Sequence, residues 1–130
     1  MRKLVIDVAP GDYAVCKLND GAEVPTGLFA AGSGALVSVT SAPGEVSVIC
    51  PADLAPADAE VEAGWWRLTV RGPLAFTLTG IIAALSSELA AAGVALFTLS
   101  TFDTDHILVK GDDLARAAGA LRAAGHDVRD

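Results

Sequence analysis

Apolar and polar positions alternate with a period of two in several short stretches of this chain, as in strands that turn one face to a core and the other to water. Residues 4–8 (LVIDV) and 13–18 (YAVCKL) form the first two stretches, separated by the turn-forming Pro10-Gly11-Asp12. Residues 35–40 (ALVSVT) and 45–50 (EVSVIC) alternate again. Between them, Ala42-Pro43-Gly44 joins a residue of fixed φ to one that tolerates positive φ, which predicts a β-hairpin. Residues 24–30 make at most a short helix, because Pro25 suits only a first turn and Gly27 weakens any turn after it. Residues 51–64 are rich in Pro, Ala and Asp, carry few large apolar groups and read as a connection between two lobes.

The second half changes period. Residues 65–71 (WWRLTVR) read as a strand ended by Gly72-Pro73. Leu78, Ile81, Ile82, Leu85 and Leu89 then recur at offsets that line one helical face, and Gly93 stands where a left-handed C-cap belongs. Residues 94–102 and 106–110 read as strands around a tight turn at Asp103-Thr104-Asp105. A second helix comes next, with Asp112 as its cap, Leu114, Ala117, Ala118, Leu121 and Ala124 as its apolar stripe and Gly125 as its stop. Residues 126–128 make a final edge strand. Adjacent Trp65 and Trp66 point to opposite faces of their strand, and both are assigned to core or interface packing.

The order from residue 65 onward is βαββαβ, the ferredoxin-like motif, in which two helices cover one face of an antiparallel sheet. The helix ends Leu89-Ala-Ala-Ala-Gly93-Val94 and Leu121-Arg-Ala-Ala-Gly125-His126 resemble each other, as when one supersecondary step is used twice. The first half suits a shortened copy of the same layout. The expectation is therefore an α+β chain of two ferredoxin-like lobes, residues 1–62 and 63–130, the first shortened.

Composition narrows the function. At 130 residues and 52% hydrophobic, the chain is long and apolar enough to fold without disulfides or metals. A net charge of -7 argues against nucleic acid, whose phosphates need concentrated positive charge. No apolar run reaches the roughly 20 residues that span a bilayer, and Asp7 interrupts the first apolar stretch too early for a signal peptide, so a cytoplasmic protein without membrane contact is expected. Cys16 and Cys50 read as buried reduced thiols, and His106 and His126 lack partners at ligand spacing, so no metal and no cofactor are expected. Ser33 lies in no G-x-S-x-G elbow, and Gly32-Ser33-Gly34 does not continue into a phosphate loop, so catalysis is not expected.

The segments Gly72-Pro73-Leu74-Ala75-Phe76-Thr77-Leu78-Thr79-Gly80-Ile81, Leu89-Ala-Ala-Ala-Gly93 and Leu99-Ser100-Thr101-Phe102-Asp103-Thr104-Asp105-His106-Ile107-Leu108-Val109 resemble those of ACT domains. The resemblance is to small bacterial tandem-ACT proteins, related to CASTOR-type amino-acid sensors and to aspartate kinase regulatory domains. Cys16 in Tyr-Ala-Val-Cys-Lys-Leu and Val48-Ile49-Cys50-Pro51 extend it into the first half. It implies a non-catalytic module that binds a small ligand, commonly an amino acid, at an interface between ACT units, and that often forms a homodimer.

The residues supply the polarity such a ligand needs. The loop Phe76, Thr77, Leu78, Thr79, Gly80 runs into a helix N-terminus, where unpaired N–H groups and the positive dipole end attract a carboxylate. Asp103 and Asp105 offer carboxylates for an ammonium, with Ser100, Thr101 and Thr104 as orienting hydroxyls beside Phe102. The same threonines are ordinary helix caps, and the same aspartates ordinary turn residues. The alternative function is a structural dimerisation or protein-interaction module without ligand. A regulatory reading needs a separate protein partner, because no effector domain is evident on this chain.

Overall fold

A computed structural model describes residues 3–30, 34–72 and 80–130. By contacts the chain divides into two compact units, Gly11–Trp65 and Met1–Pro10 with Trp66–Asp130. The division differs from a boundary at 62/63 because the first strand lies with the C-terminal half.

In the larger unit, β1 (Val5–Val8) pairs antiparallel with the second half of β5 (Glu60–Val70) and parallel with β8 (Asp127–Arg129). Ile6 stands opposite both Val70 and Val128. Between β5 and β8 the chain forms α1 (Ile81–Ala91), β6 (Leu96–Ser100), β7 (Asp105–Lys110) and α2 (Leu114–Ala123). The strands take the order β6-β7-β5-β1-β8. The βαββαβ order is thus realised, with the N-terminal strand inserted between its first and last strands.

One sheet face carries the core. Leu4, Ile6, Leu68, Val70, Ile107, Val109 and Val128 meet Ile81, Leu85 and Leu89 of α1 and Ala117, Ala118 and Leu121 of α2. Strand residues two apart share a face, so this single cluster places both helices on the same side. Both helices end alike. Gly93 (φ 74°) donates its N–H to Ala90 O and Val94 to Leu89 O. Gly125 (φ 102°) and His126 repeat this with Arg122 O and Leu121 O. These are Schellman caps, and only glycine enters that left-handed position without cost.

In the Gly11–Trp65 unit, β2 (Tyr13–Leu18) lies between β4 (Glu45–Pro51) and the first half of β5, and β3 (Ser38–Ala42) pairs with β4. Ala42 opposite Glu45 leaves Pro43-Gly44 as the two-residue turn, with Gly44 at φ 85°. Ala14, Cys16, Leu18, Leu28, Val46, Val48 and Cys50 form its core. The helix limit predicted for 24–30 is a 3₁₀ turn at Thr26–Ala30, and among the described residues this unit has no α-helix.

Three local expectations are corrected. Residues 51–64 are not wholly a connection: after a 3₁₀ turn at Ala52–Leu54, β5 already begins at Glu60, where Glu60 pairs opposite Lys17. The cap position of α2 is Asp113 rather than Asp112, because a 3₁₀ turn at Gly111–Asp113 precedes the helix. Asp113 makes no capping hydrogen bond and instead pairs with Arg116. The strand after the 103–105 turn begins at Asp105, one residue earlier than expected.

Candidate functional site

The sequence-derived site falls at two places in the larger unit. Phe76, Thr77, Leu78 and Thr79 lie outside the described residues. Gly80 is exposed and occupies the N-cap position of α1 at φ +80°, and its carbonyl accepts the Ala84 N–H at 2.9 Å. Among the described residues no side chain caps this helix start, and a Cβ added at Gly80 would meet none of them within 4 Å. Glycine is therefore required here by backbone conformation and not by close helix-to-sheet packing.

The second place is the turn joining β6 to β7, and the structure brings its residues together. Ser100 and Asp105 are opposite one another in the ladder, and the Ser100 hydroxyl donates to Asp105 Oδ1. The Thr101 N–H donates to Thr104 O at 2.8 Å, and the Thr101 side chain bridges the same residue's carbonyl and N–H. The Thr104 hydroxyl donates to the Val70 carbonyl, tying the turn to the end of β5. Ser100, Thr101, Phe102 and Asp103 are exposed, and Thr104 and Asp105 half-buried. The hydroxyls thus rigidify the turn, while the Asp103 carboxylate and one oxygen of Asp105 present negative charge. Such a turn can accept hydrogen bonds from a cation.

Beside it, His106 is buried on the sheet face opposite the helices. Arg67 Nη1 donates to Thr69 Oγ1, which lies 2.9 Å from His106 Nδ1. The direction of that bond follows the imidazole tautomer, because the Thr69 hydroxyl keeps a second lone pair besides the one that faces Arg67. Burial, reinforced by the Arg67 charge, holds the imidazole below its ordinary range, and Asp105 opposes this only weakly. His126 is also buried: its Nδ1 accepts the Leu4 N–H at 3.2 Å, and its Nε2 stands 3.3 Å from Glu88 Oε2 without hydrogen-bond alignment. It fastens β1 to the end of α2.

The two thiols lie on one face of the β2–β4 ladder, Cys16 opposite Val48 and Cys50 opposite Ala14, both free and buried. Burial raises both, Cys50 to about 11 with its neighbour Cys16 adding to the shift. Neither has the activated thiolate character of a nucleophile. Among the described residues no group of three or more His, Cys, Asp or Glu is placed to hold a metal, and no helix is long and apolar enough to cross a membrane.

The structure also contains a concavity that sequence reasoning missed. About 780 Å³ in volume, it opens between α2 and the Val8–Pro10 end of β1, with Trp66, Arg122 and Asp130 at its border. Nothing in the local pattern marked it, since its walls come from four distant segments and are largely Ala, Val, Leu and Pro.

Comparison with known proteins agrees with this architecture. The ACT domain model matches residues 60–123. A crystal structure of an Agobacterium tumefaciens protein is 34% identical, with a TM-score of 0.87 over 98% of this chain and 93% of that one. The chain belongs to the ACT-domain family. ACT domains are regulatory, ligand-binding modules. A Vibrio cholerae protein described as of unknown function and a possible transport protein shares the fold at 21% identity, with a TM-score of 0.73 over 93% of this chain and 89% of that one. So does the regulatory subunit of aspartate kinase from Thermus thermophilus, at 12% identity and a TM-score of 0.62, over 92% of this chain and 95% of that one. No curated protein matches the chain.

Proposed function

We propose that this ACT-domain chain is a non-catalytic regulatory protein that binds a free amino acid at an interface between ACT units. The Gly11–Trp65 unit is the divergent, shortened ACT lobe of a tandem pair in this reading. The observation that carries it is the 100–105 turn, where Thr101 and Thr104 bond the backbone, Ser100 donates to one oxygen of the half-buried Asp105, and Asp103 is exposed. Those carboxylates suit an ammonium, and the N–H groups just beyond Gly80 suit a carboxylate. A second ACT unit completes the pocket in this reading, and the working form is a homodimer. Regulation then arises from different ligand affinity for two arrangements of the units, transmitted to a separate protein partner.

A thermal-shift panel of the twenty amino acids tests this. A ligand present at about 100 times its Kd adds roughly 2.7 kcal/mol and raises the midpoint by several degrees. One amino acid, or one chemical group of them, gives that rise, and Asp105→Ala diminishes it. A flat panel contradicts the proposal.

A second reading, a dimerisation module without ligand, is favoured by one observation. Phe102 is 78% exposed on the same turn, and Phe97 is 36% exposed on β6 at the end of the strand order. A stable dimer by sedimentation together with a flat panel identifies that case.

A further inference from the structure

We propose that the groove between α2 and the end of β1 binds a small organic monocarboxylate with an apolar body, independently of the 100–105 turn. Its volume of about 780 Å³ lies in the range of small-molecule sites. The groove continues the core layer beyond the point where protein side chains fill it. Val8 faces the core beside Leu68, and Trp66, two residues earlier on β5, points to the same face. On the opposite wall α2 presents Leu114, Ala115 and Ala118. The alanines at positions 115 and 118 are too short to reach across, and the half-buried indole is left along an apolar slot. A flat or branched hydrocarbon body fits such a slot by removing its walls from water.

Arg122 gives the slot its polarity. It stands one helical turn beyond Ala118 on the same face, and its Nη2 donates to Val128 O at 2.8 Å, which fixes the guanidinium at the border. Asp130 Oδ1 is 3.9 Å away, beyond hydrogen-bond distance. Among the described residues the remaining N–H groups of Arg122 have no partner. An anchored guanidinium with donors to spare at the mouth of an apolar slot matches one carboxylate on an apolar body. The neighbouring Asp130 charge disfavours a dianion.

The test is a 1H–15N titration of the full chain with 3-phenylpropionate and with the uncharged 3-phenylpropanamide. The proposal expects saturable shifts at the Trp66 indole and at the Ala115 and Arg122 amides. It expects at least tenfold weaker binding of the amide, and of the acid to Arg122→Gln, the usual loss when a charged hydrogen-bond partner is removed. Ala115→Trp, at an exposed helix position, fills the slot and abolishes binding with the melting curve retained. Asp105→Ala leaves acid binding unchanged, and Ala115→Trp leaves the amino-acid response of the 100–105 turn unchanged, so the two readings fail separately. Shifts that do not saturate, equal binding of acid and amide, or full binding by Ala115→Trp would each overturn the proposal.

Discussion

Replacing Ile6 with alanine probes the feature that organises the larger unit, the insertion of β1 between β5 and β8. Ile6 is 1% exposed and pairs opposite Val70 on one side and Val128 on the other. Its side chain lies in the cluster formed with both helices. Removal of three buried carbons forfeits about 0.8 kcal/mol each in transfer free energy, and the cavity left between two strands adds to that. The expected loss is about 3 kcal/mol, or a fall of roughly 10 °C in the melting midpoint for a chain of this length. Hydrogen exchange locates the effect. Arg71 donates its N–H to Val5 O and Asp127 to Leu4 O, so both amides depend on β1 and exchange roughly a hundredfold faster in the variant. Asp7→Asn on the same strand is the control. It breaks only the exposed pair with Arg71, whose members are 41% and 48% exposed, and costs under about 1 kcal/mol. A loss below about 1 kcal/mol for Ile6→Ala, or faster exchange confined to residues 11–65, would refute the placement of β1.

Three further outcomes are expected at particular residues. Gly125→Ala destabilises by about 1–2 kcal/mol in chemical denaturation, because φ 102° penalises any Cβ although space is open there; a neutral effect would remove the Schellman cap from the account. His106 has its folded value depressed by burial, so its contribution is complete above the ordinary histidine value near 6.5 and declines as pH falls through the depressed value. His106→Gln therefore flattens the dependence of stability on pH below the ordinary histidine value, and an unchanged slope would contradict the burial argument. At pH 8, iodoacetamide leaves Cys16 and Cys50 of the native protein unmodified and alkylates both in denaturant; native alkylation would show that Cys50 does not stand at about 11.

The strands and helices with strong local signals were legible in the sequence. Residues 13–18, the Pro43-Gly44 hairpin, the stripes Ile81, Ile82, Leu85, Leu89 and Leu114, Ala117, Ala118, Leu121, and both glycine stops appear where their periods and turn chemistry place them, whereas Ala124 is exposed past the end of α2. The hidden features are non-local. Nothing within residues 4–8 says that their partners are β5 and β8, since strand pairing is set by which apolar faces meet across the whole chain. The start of β5 was read as connection because Glu60-Val61-Glu62-Ala63-Gly64 lacks a strand composition; it is held by pairing with β2, where Glu60 meets Lys17. The α2 cap was displaced by one residue because two successive aspartates offer the same chemistry and a 3₁₀ turn chose between them. Of the candidate site, the 100–105 cluster was visible because Asp, Ser and Thr advertise polar chemistry at a turn. The groove was invisible because its alanines and its one proline, Pro10, advertise none, and only the fold brings Trp66 and Arg122 to one border.

Binding of an amino acid at the 100–105 turn is tested most directly by isothermal titration of wild-type protein and Asp105→Ala with the amino acid that most raises the melting midpoint. Saturable binding to the wild-type protein is predicted, with at least about tenfold weaker binding to the variant, the loss of one charge-assisted contact. Binding of equal strength to both proteins would contradict the assigned site, and no measurable heat with any of the twenty amino acids would contradict the function.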